Sequence, residues 1–127
     1  MADKGAREVR KFNPEGQQLL TFTHPSWTAD YSNSNVCYPE CLTVDAEGNI
    51  YVIEAFRVLK FNAQAQLQWI YDPKQSGGSI RISSYKDVVA DAKGNVFFLD
   101  YEYTITCLDA SNGQKQRSFS VKRRHIQ

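Results

Sequence analysis

The stretch Cys41-Leu-Thr-Val-Asp45-Ala-Glu-Gly48-Asn49-Ile-Tyr-Val-Ile-Glu54 returns as Asp87-Val-Val-Ala-Asp91-Ala-Lys-Gly94-Asn95-Val-Phe-Phe-Leu-Asp100, the two Asp-Ala-x-Gly-Asn segments lying 46 residues apart. A second motif occurs three times, at spacings of 49 and 47 residues. It reads Val9-Arg-Lys-Phe12-Asn13-Pro-Glu-Gly16, then Val58-Leu-Lys-Phe61-Asn62-Ala-Gln-Ala65, then Ile105-Thr-Cys-Leu108-Asp109-Ala-Ser-Asn-Gly113. Each copy places β-forming residues on both sides of a turn. Asp45 and Asp91 can close their turns with their side chains, and Gly48 and Gly94 tolerate positive φ. Pro14 presets φ in the Asn13–Gly16 turn, which Gly16 completes. No segment carries a capped apolar period of 3.6 residues, so little helix is expected.

Two full units of four strands (a to d) follow. The first has a at Cys41–Asp45, b at Ile50–Glu54, c at Arg57–Asn62 and d at Leu67–Tyr71. The second has a at Asp87–Asp91, b at Asn95–Asp100, c at Thr104–Asp109 and d at Gln116–Val121. A c strand at Glu8–Asn13 and a d strand at Gln18–Thr23 precede them, making ten strands in all. Repeats of about 40–50 residues with this texture are blades of a β-propeller. The expected fold is therefore all-β, with four-stranded antiparallel propeller-type blades in an incomplete set of about two and a half. It forms a single domain over residues 1–127, with a half-blade at 8–23, blades at 41–71 and 87–121, and a basic tail at 122–127.

The segments Val44-Asp45-Ala-Glu-Gly48-Asn49-Ile50-Tyr51-Val52 and Arg57-Val58-Leu59-Lys60-Phe61 resemble the NHL repeat, and the second unit is similar. The resemblance covers about two thirds of the chain. It implies six-bladed propellers that serve as platforms for RNA or protein. A minority of such relatives are enzymes, the amidating lyases and the gluconolactonase-like group. The b–c connection here is only Ala55-Phe56, without the usual Asp-x-Gly-Asn-Asn-Arg loop, and Leu108-Asp109-Ala-Ser-Asn-Gly113 is closer to a quinoprotein-type blade. The blade itself is the part of the resemblance carried forward.

A closed propeller typically uses about four to eight blades. Two and a half would leave apolar faces uncovered, and such faces normally become interfaces. The chain is thus expected to self-associate as a homo-oligomer through exposed blade faces, to belong to a larger propeller, or to pair with a protein partner.

The a–b and c–d turns fall on one side of the blades, and the b–c and d–a connections on the other. The d–a connections, Thr23–Glu40 and Asp72–Tyr85, are long, and long loops on a rigid scaffold are where binding residues concentrate. They and the b–c connections bring Trp27, Tyr31, Tyr38, Phe56, Arg57, Arg81, Tyr85, Tyr101 and Tyr103 to one side. Aromatic residues interleaved with bases suit a peptide or stacked RNA bases. The expected function is a non-catalytic module that binds protein, with RNA as a second ligand class. Each of these aromatics could instead pin its own loop to a blade edge.

The rival reading is a metal-dependent lactonase- or lyase-like enzyme with Glu54 and Asp100, which end the two b strands, as ligands. A repeated residue is more simply structural, so neither a catalytic residue nor a cofactor is assigned. Cys37, Cys41 and Cys107, with His24 and His125, lack the paired short spacings of a zinc site, and three cysteines do not suggest a disulfide framework. Gly77-Gly78-Ser79 lacks the spacing of a phosphate-binding loop.

At 127 residues, 42% hydrophobic and 23% charged, with a net charge of +1, the composition is that of a folded domain. Residues 28–72 hold six acids and two bases; residues 115–127 hold five bases and no acid. That basic end reads as a solvated terminus before it reads as an RNA contact. There is no apolar run of about 20 residues and no signal-peptide core, so no membrane association and a cytoplasmic location are expected.

Overall fold

The computed structural model describes residues 1–3, 8–24, 27, 39–54, 57–73, 85–100 and 103–120. The described strands form three antiparallel sheets. The first contains β1 (Ala2–Asp3), β2 (Glu8–Phe12) and β3 (Gln18–Phe22) in that order. The second runs β4 (Cys41–Val44), β5 (Ile50–Glu54), β6 (Arg57–Phe61) and β7 (Leu67–Tyr71). The third runs β8 (Tyr85–Ala90), β9 (Asn95–Asp100), β10 (Thr104–Asp109) and β11 (Lys115–Ser120). Every sheet is a meander, with each strand beside its sequence neighbour.

Beyond one-residue shifts at the ends of β2, β3, β4, β6 and β11, two details differ from the sequence reading. β1 adds an eleventh strand in the b position of the first sheet, pairing Ala2 with Val9 and Asp3 with Glu8. A two-residue strand has no period to detect. β8 starts at Tyr85 rather than Asp87, because a register shift between Tyr85 and Asp87 carries the pairing past an irregularity. Tyr85 is thus part of a strand rather than of the preceding connection.

The hairpin turns explain the repeat. In the a–b turn of the second sheet, the Gly48 amide donates to the Asp45 carbonyl (3.1 Å) and the Asp45 amide to the Asn49 carbonyl (3.0 Å). Gly48 has φ +86° and Gly94 the same value. This is a type I turn closed by a left-handed residue. The first two c–d turns use the same geometry. The third is one residue longer, with the Gly113 amide donating to the Asp109 carbonyl (2.7 Å). A register shift recurs just before the turn in β2, β6 and β10. Ala65 takes the left-handed position, φ +65°, where the sister turns have Gly16 and Gly113.

The Asp45 side chain holds its turn together. Oδ1 accepts the amides of Glu47 (3.0 Å) and Asn49 (2.9 Å), and Oδ2 accepts the Tyr51 hydroxyl at 2.7 Å. Burial raises the Asp45 carboxyl, but the bonds from Asn49, Tyr51 and the amides outweigh it and hold it below the usual range. Bonds from Asn95 lower Asp91 in the same way. A carboxyl lowered in the folded state contributes stability that is complete above its unfolded value, about pH 3.9. That contribution is lost as pH falls through the lower folded value. Acid unfolding should therefore steepen below about pH 4, and Asp45→Asn should flatten the stability–pH curve there. Asp45→Ala should cost about 1–2 kcal/mol at neutral pH in a urea titration.

The sheets pack face to face in chain order. Val9, Phe22 and Trp27 meet Leu42, Ile50, Val52, Leu59 and Phe61 between the first and second sheets. Tyr51, Ile53, Val58, Trp69 and Tyr71 meet Tyr85, Val88, Val96, Phe98 and Leu108 between the second and third. The second sheet is covered on both faces, so all five residues of β5 are buried. β9 has the same apolar texture but only one covered face, and its burial alternates. Fully burying one such Val, Ile or Leu stabilises by about 1.5–3 kcal/mol. β4 and β5 both pack against β8, so the a strands lie innermost and the sheets spread outward from them.

Candidate functional site

The side bearing the b–c and d–a connections is organised around Glu54, the last residue of β5. Its side chain is wholly buried. Trp27 donates Nε1–H to Glu54 Oε2 at 2.5 Å. Arg57, which opens β6 directly across the strand pair, donates Nε–H to Glu54 Oε1 at 2.9 Å, and its Nη2 reaches the same oxygen. A buried carboxylate needs this company, since an unpaired charge in the interior costs several kcal/mol, about the penalty of burying an ion. The Trp27 amide also donates to the His24 carbonyl (2.9 Å), turning the chain so that the indole covers Phe61, with ring centroids 5.9 Å apart. Burial lowers the His24 imidazole, partly opposed by the Glu54 charge.

The equivalent residue of the third sheet, Asp100, works differently. Its Oδ1 accepts the Thr104 amide at 2.9 Å, and its carbonyl receives the Tyr103 amide at 3.3 Å. This closure holds Tyr103 at φ +62°, a left-handed conformation unusual for an aromatic residue, with the side chain 43% exposed.

The sequence-derived candidates therefore divide. Trp27 and Tyr85 are buried, and Tyr85 stacks on Phe98 with ring centroids 4.4 Å apart. Burial, with the nearby Tyr71, Asp100 and Asp72, pushes the Tyr85 phenol up. Arg57 is mostly covered and committed to Glu54. Tyr103 is exposed. Tyr31, Tyr38, Phe56, Arg81 and Tyr101 lie outside the described residues, as do Cys37 and His125. As to metal, both Glu54 oxygens are engaged with Trp27 and Arg57, and Asp100 closes its own turn. Among the described residues no three His, Cys, Asp or Glu side chains gather as a cation site. Cys41 is partly exposed and Cys107 buried.

The sequence reading did not foresee the Trp27–Glu54–Arg57 arrangement. Glu54 and Arg57 sit either side of a two-residue connection, a spacing that invites a cross-strand ion pair, but the approach of Trp27 from 27 residues away leaves no local trace.

On the opposite side, Trp69 and Lys60 of the second sheet reach across to the third. Trp69 Nε1 and Lys60 Nζ both donate to the Ala110 carbonyl, at 2.9 and 2.7 Å. The Trp69 ring lies over Gly113 so closely that an added Cβ would sit 2.5 Å from it. At the other junction, an open cavity of about 390 Å³ is lined by Met1, by residues 9–12 along β2 and by Leu42, Val44 and Ile50 of the second sheet.

No protein-family model matches the sequence, and no curated protein does either. Among solved structures, the chain is similar to the crystal structure of BamB from Moraxella catarrhalis, a β-propeller, with a TM-score of 0.65 and 12% identity. The match covers 94% of this chain. The fold is that of a β-propeller. The three sheets are consecutive blades, and the chain spans 32% of the length of BamB. At this identity the fold is what the two share. Among the described residues no helix is long and apolar enough to cross a membrane.

Proposed function

We propose that the chain is a non-catalytic interaction module that binds protein through the side of its blades carrying the b–c and d–a connections. The observation behind this reading is Tyr103, an exposed aromatic held in a left-handed backbone by Asp100. Backbone strain of this kind costs about 1–3 kcal/mol and concentrates where a side chain must be displayed. Tyrosine is also among the residues that dominate protein interfaces. The NHL-like character of the repeat and a cytoplasmic location belong to the same proposal. The enzyme reading is disfavoured because Glu54 is already a structural partner of Arg57 and Trp27.

A photo-cross-linking amino acid in place of Tyr103, in the full chain in cells, tests the reading. It should trap a protein that the same probe at Lys11, an exposed position near the opposite turns, does not trap. Binding of that purified protein should weaken by about 30-fold or more on Tyr103→Gly. The same substitution should raise the chain's own stability by up to about 1 kcal/mol, because glycine relieves the left-handed strain at some entropic cost. Equal trapping from Lys11, or affinity indifferent to Tyr103, would contradict the proposal. Tight single-stranded RNA binding with a steep salt dependence would replace protein by RNA. Stoichiometric calcium or zinc binding lost on Asp100→Asn would revive the enzyme.

A further inference from the structure

We propose that two copies of this chain associate head to tail, the outward face of the third blade (β8–β11) in one copy receiving the outward face of the first sheet (β1–β3) from the other. This surface is separate from the connection side discussed above.

The strand registers map each terminal face onto an internal one that is already covered. Phe119 pairs with Ile105 as Tyr71 pairs with Val58 and Phe22 with Val9. Phe22 and Tyr71 each face the next blade: Phe22 packs on Phe61 at 4.8 Å and Tyr71 on Phe98 at 5.5 Å. Phe119 holds the same place on the last blade and is 48% exposed, as is Val89, at 52%, on the opposite edge strand of the same sheet. Val89, Phe97, Leu99 and Ile105 line a shallow groove over β8, β9 and β10 of the same blade, and Phe119 lies beyond it, across from Ile105 on β11.

The head of the chain supplies the complement. In the repeat, Phe12 stands where Phe61 and Leu108 stand, and those two are buried against the preceding sheet. Phe12 is 42% exposed, and among the described residues no further sheet covers it. Docked as the internal blades dock, Phe12 of one copy meets Phe119 of the other, as Phe61 meets Phe22.

Charge makes the pairing specific to a second copy. Arg117 pairs with Cys107 as Trp69 pairs with Lys60, so it occupies the Trp69 position. Trp69 reaches the c–d turn of the following blade, where it covers Gly113 and binds the Ala110 carbonyl. The corresponding turn of the first sheet is Asn13-Pro14-Glu15-Gly16. It offers a carboxylate at Glu15 and a bare surface at Gly16, where an added Cβ would meet nothing within 4 Å. An arginine in the tryptophan's place thus finds an acid and a carbonyl where the tryptophan finds a glycine and a carbonyl. A contact of this head-to-tail kind either closes a ring or runs on as a filament. Two copies supply six sheets, a number within the usual range of about four to eight for a closed propeller.

Sedimentation velocity on the full chain across a concentration series decides the matter. A discrete dimer is expected. Phe119→Glu and Phe12→Glu should each raise its dissociation constant about 30-fold or more. Arg117→Glu should raise it about tenfold, with recovery when Glu15→Arg is added in the same chain. All these residues are exposed or at the sheet edge, and unchanged circular dichroism confirms that each variant folds. A monomer at every concentration would overturn the proposal. So would a dimer indifferent to these substitutions, or a loss at Arg117 that Glu15→Arg fails to repair; those outcomes would assign the face to further blades of a longer chain or to another protein.

Discussion

Glu54→Ala is expected to lower stability by about 3–5 kcal/mol, because removing one member of a buried ion pair leaves the other charge without its partner. Three consequences add in one place. Arg57, whose side chain is only 17% exposed, keeps a buried guanidinium without its carboxylate. Trp27 keeps an indole N–H that has lost its acceptor. The anchor that folds residue 27 back over Phe61 is gone, which loosens the seam between the first and second blades. Urea unfolding followed by tryptophan fluorescence reads all three, since Trp27 emission should shift to the red while Trp69 stays covered. Glu54→Gln keeps the shape and one acceptor oxygen and should fall between the wild type and Glu54→Ala, so the prediction survives if the alanine variant does not fold. A change below about 1 kcal/mol for Glu54→Ala would mean that the carboxylate is not buried in this arrangement.

Gly113→Ala should cost about 3 kcal/mol, combining a backbone penalty common to the turn glycines with a steric one particular to Gly113. The first is backbone: Gly113 has φ +74°, and a left-handed residue with a Cβ costs about 1–2 kcal/mol. The second is space. The new methyl would fall 2.5–2.9 Å from three carbons of the Trp69 indole, in contact with ring atoms that cannot yield without moving Trp69 off the Ala110 carbonyl. Overpacking of this kind adds about 1–3 kcal/mol. Gly94→Ala is the control. Its φ is +86°, but an added Cβ there meets nothing within 4 Å, so only the backbone penalty should appear. A Trp69→Leu background should remove the excess cost at Gly113 and leave Gly94→Ala unchanged, a coupling that a double-mutant cycle measures.

The blades were legible because their information is local and written more than once. Asp45-Ala-Glu-Gly48-Asn49 and Asp91-Ala-Lys-Gly94-Asn95 each contain the whole turn: the aspartate that collects the amides, the glycine that takes positive φ and the apolar run beyond. β5, β7, β9 and β10 accordingly begin and end where the repeat places them. What the sequence withholds is how the units meet. Trp27 and Tyr85 look like loop aromatics in the chain, yet one covers Phe61 and donates to Glu54, and the other opens β8 against Phe98. Their burial depends on neighbours from another blade, which no window along the chain contains. Arg117 is the converse case. It looks like one more base of a basic terminus, and only its register opposite Cys107 identifies it with the position of Trp69.

Consecutive blades pack face to face, and the contact between Trp69 and Gly113 reports that packing most directly. In the nuclear magnetic resonance spectrum of the folded chain, the indole ring should shift the Gly113 α-protons strongly upfield and show cross-relaxation with them. Both signals should vanish in Trp69→Leu while the turn amides keep their shifts. Gly113 α-protons at ordinary positions, with no cross-relaxation to Trp69, would contradict the stacking of the second blade on the third and the propeller arrangement with it.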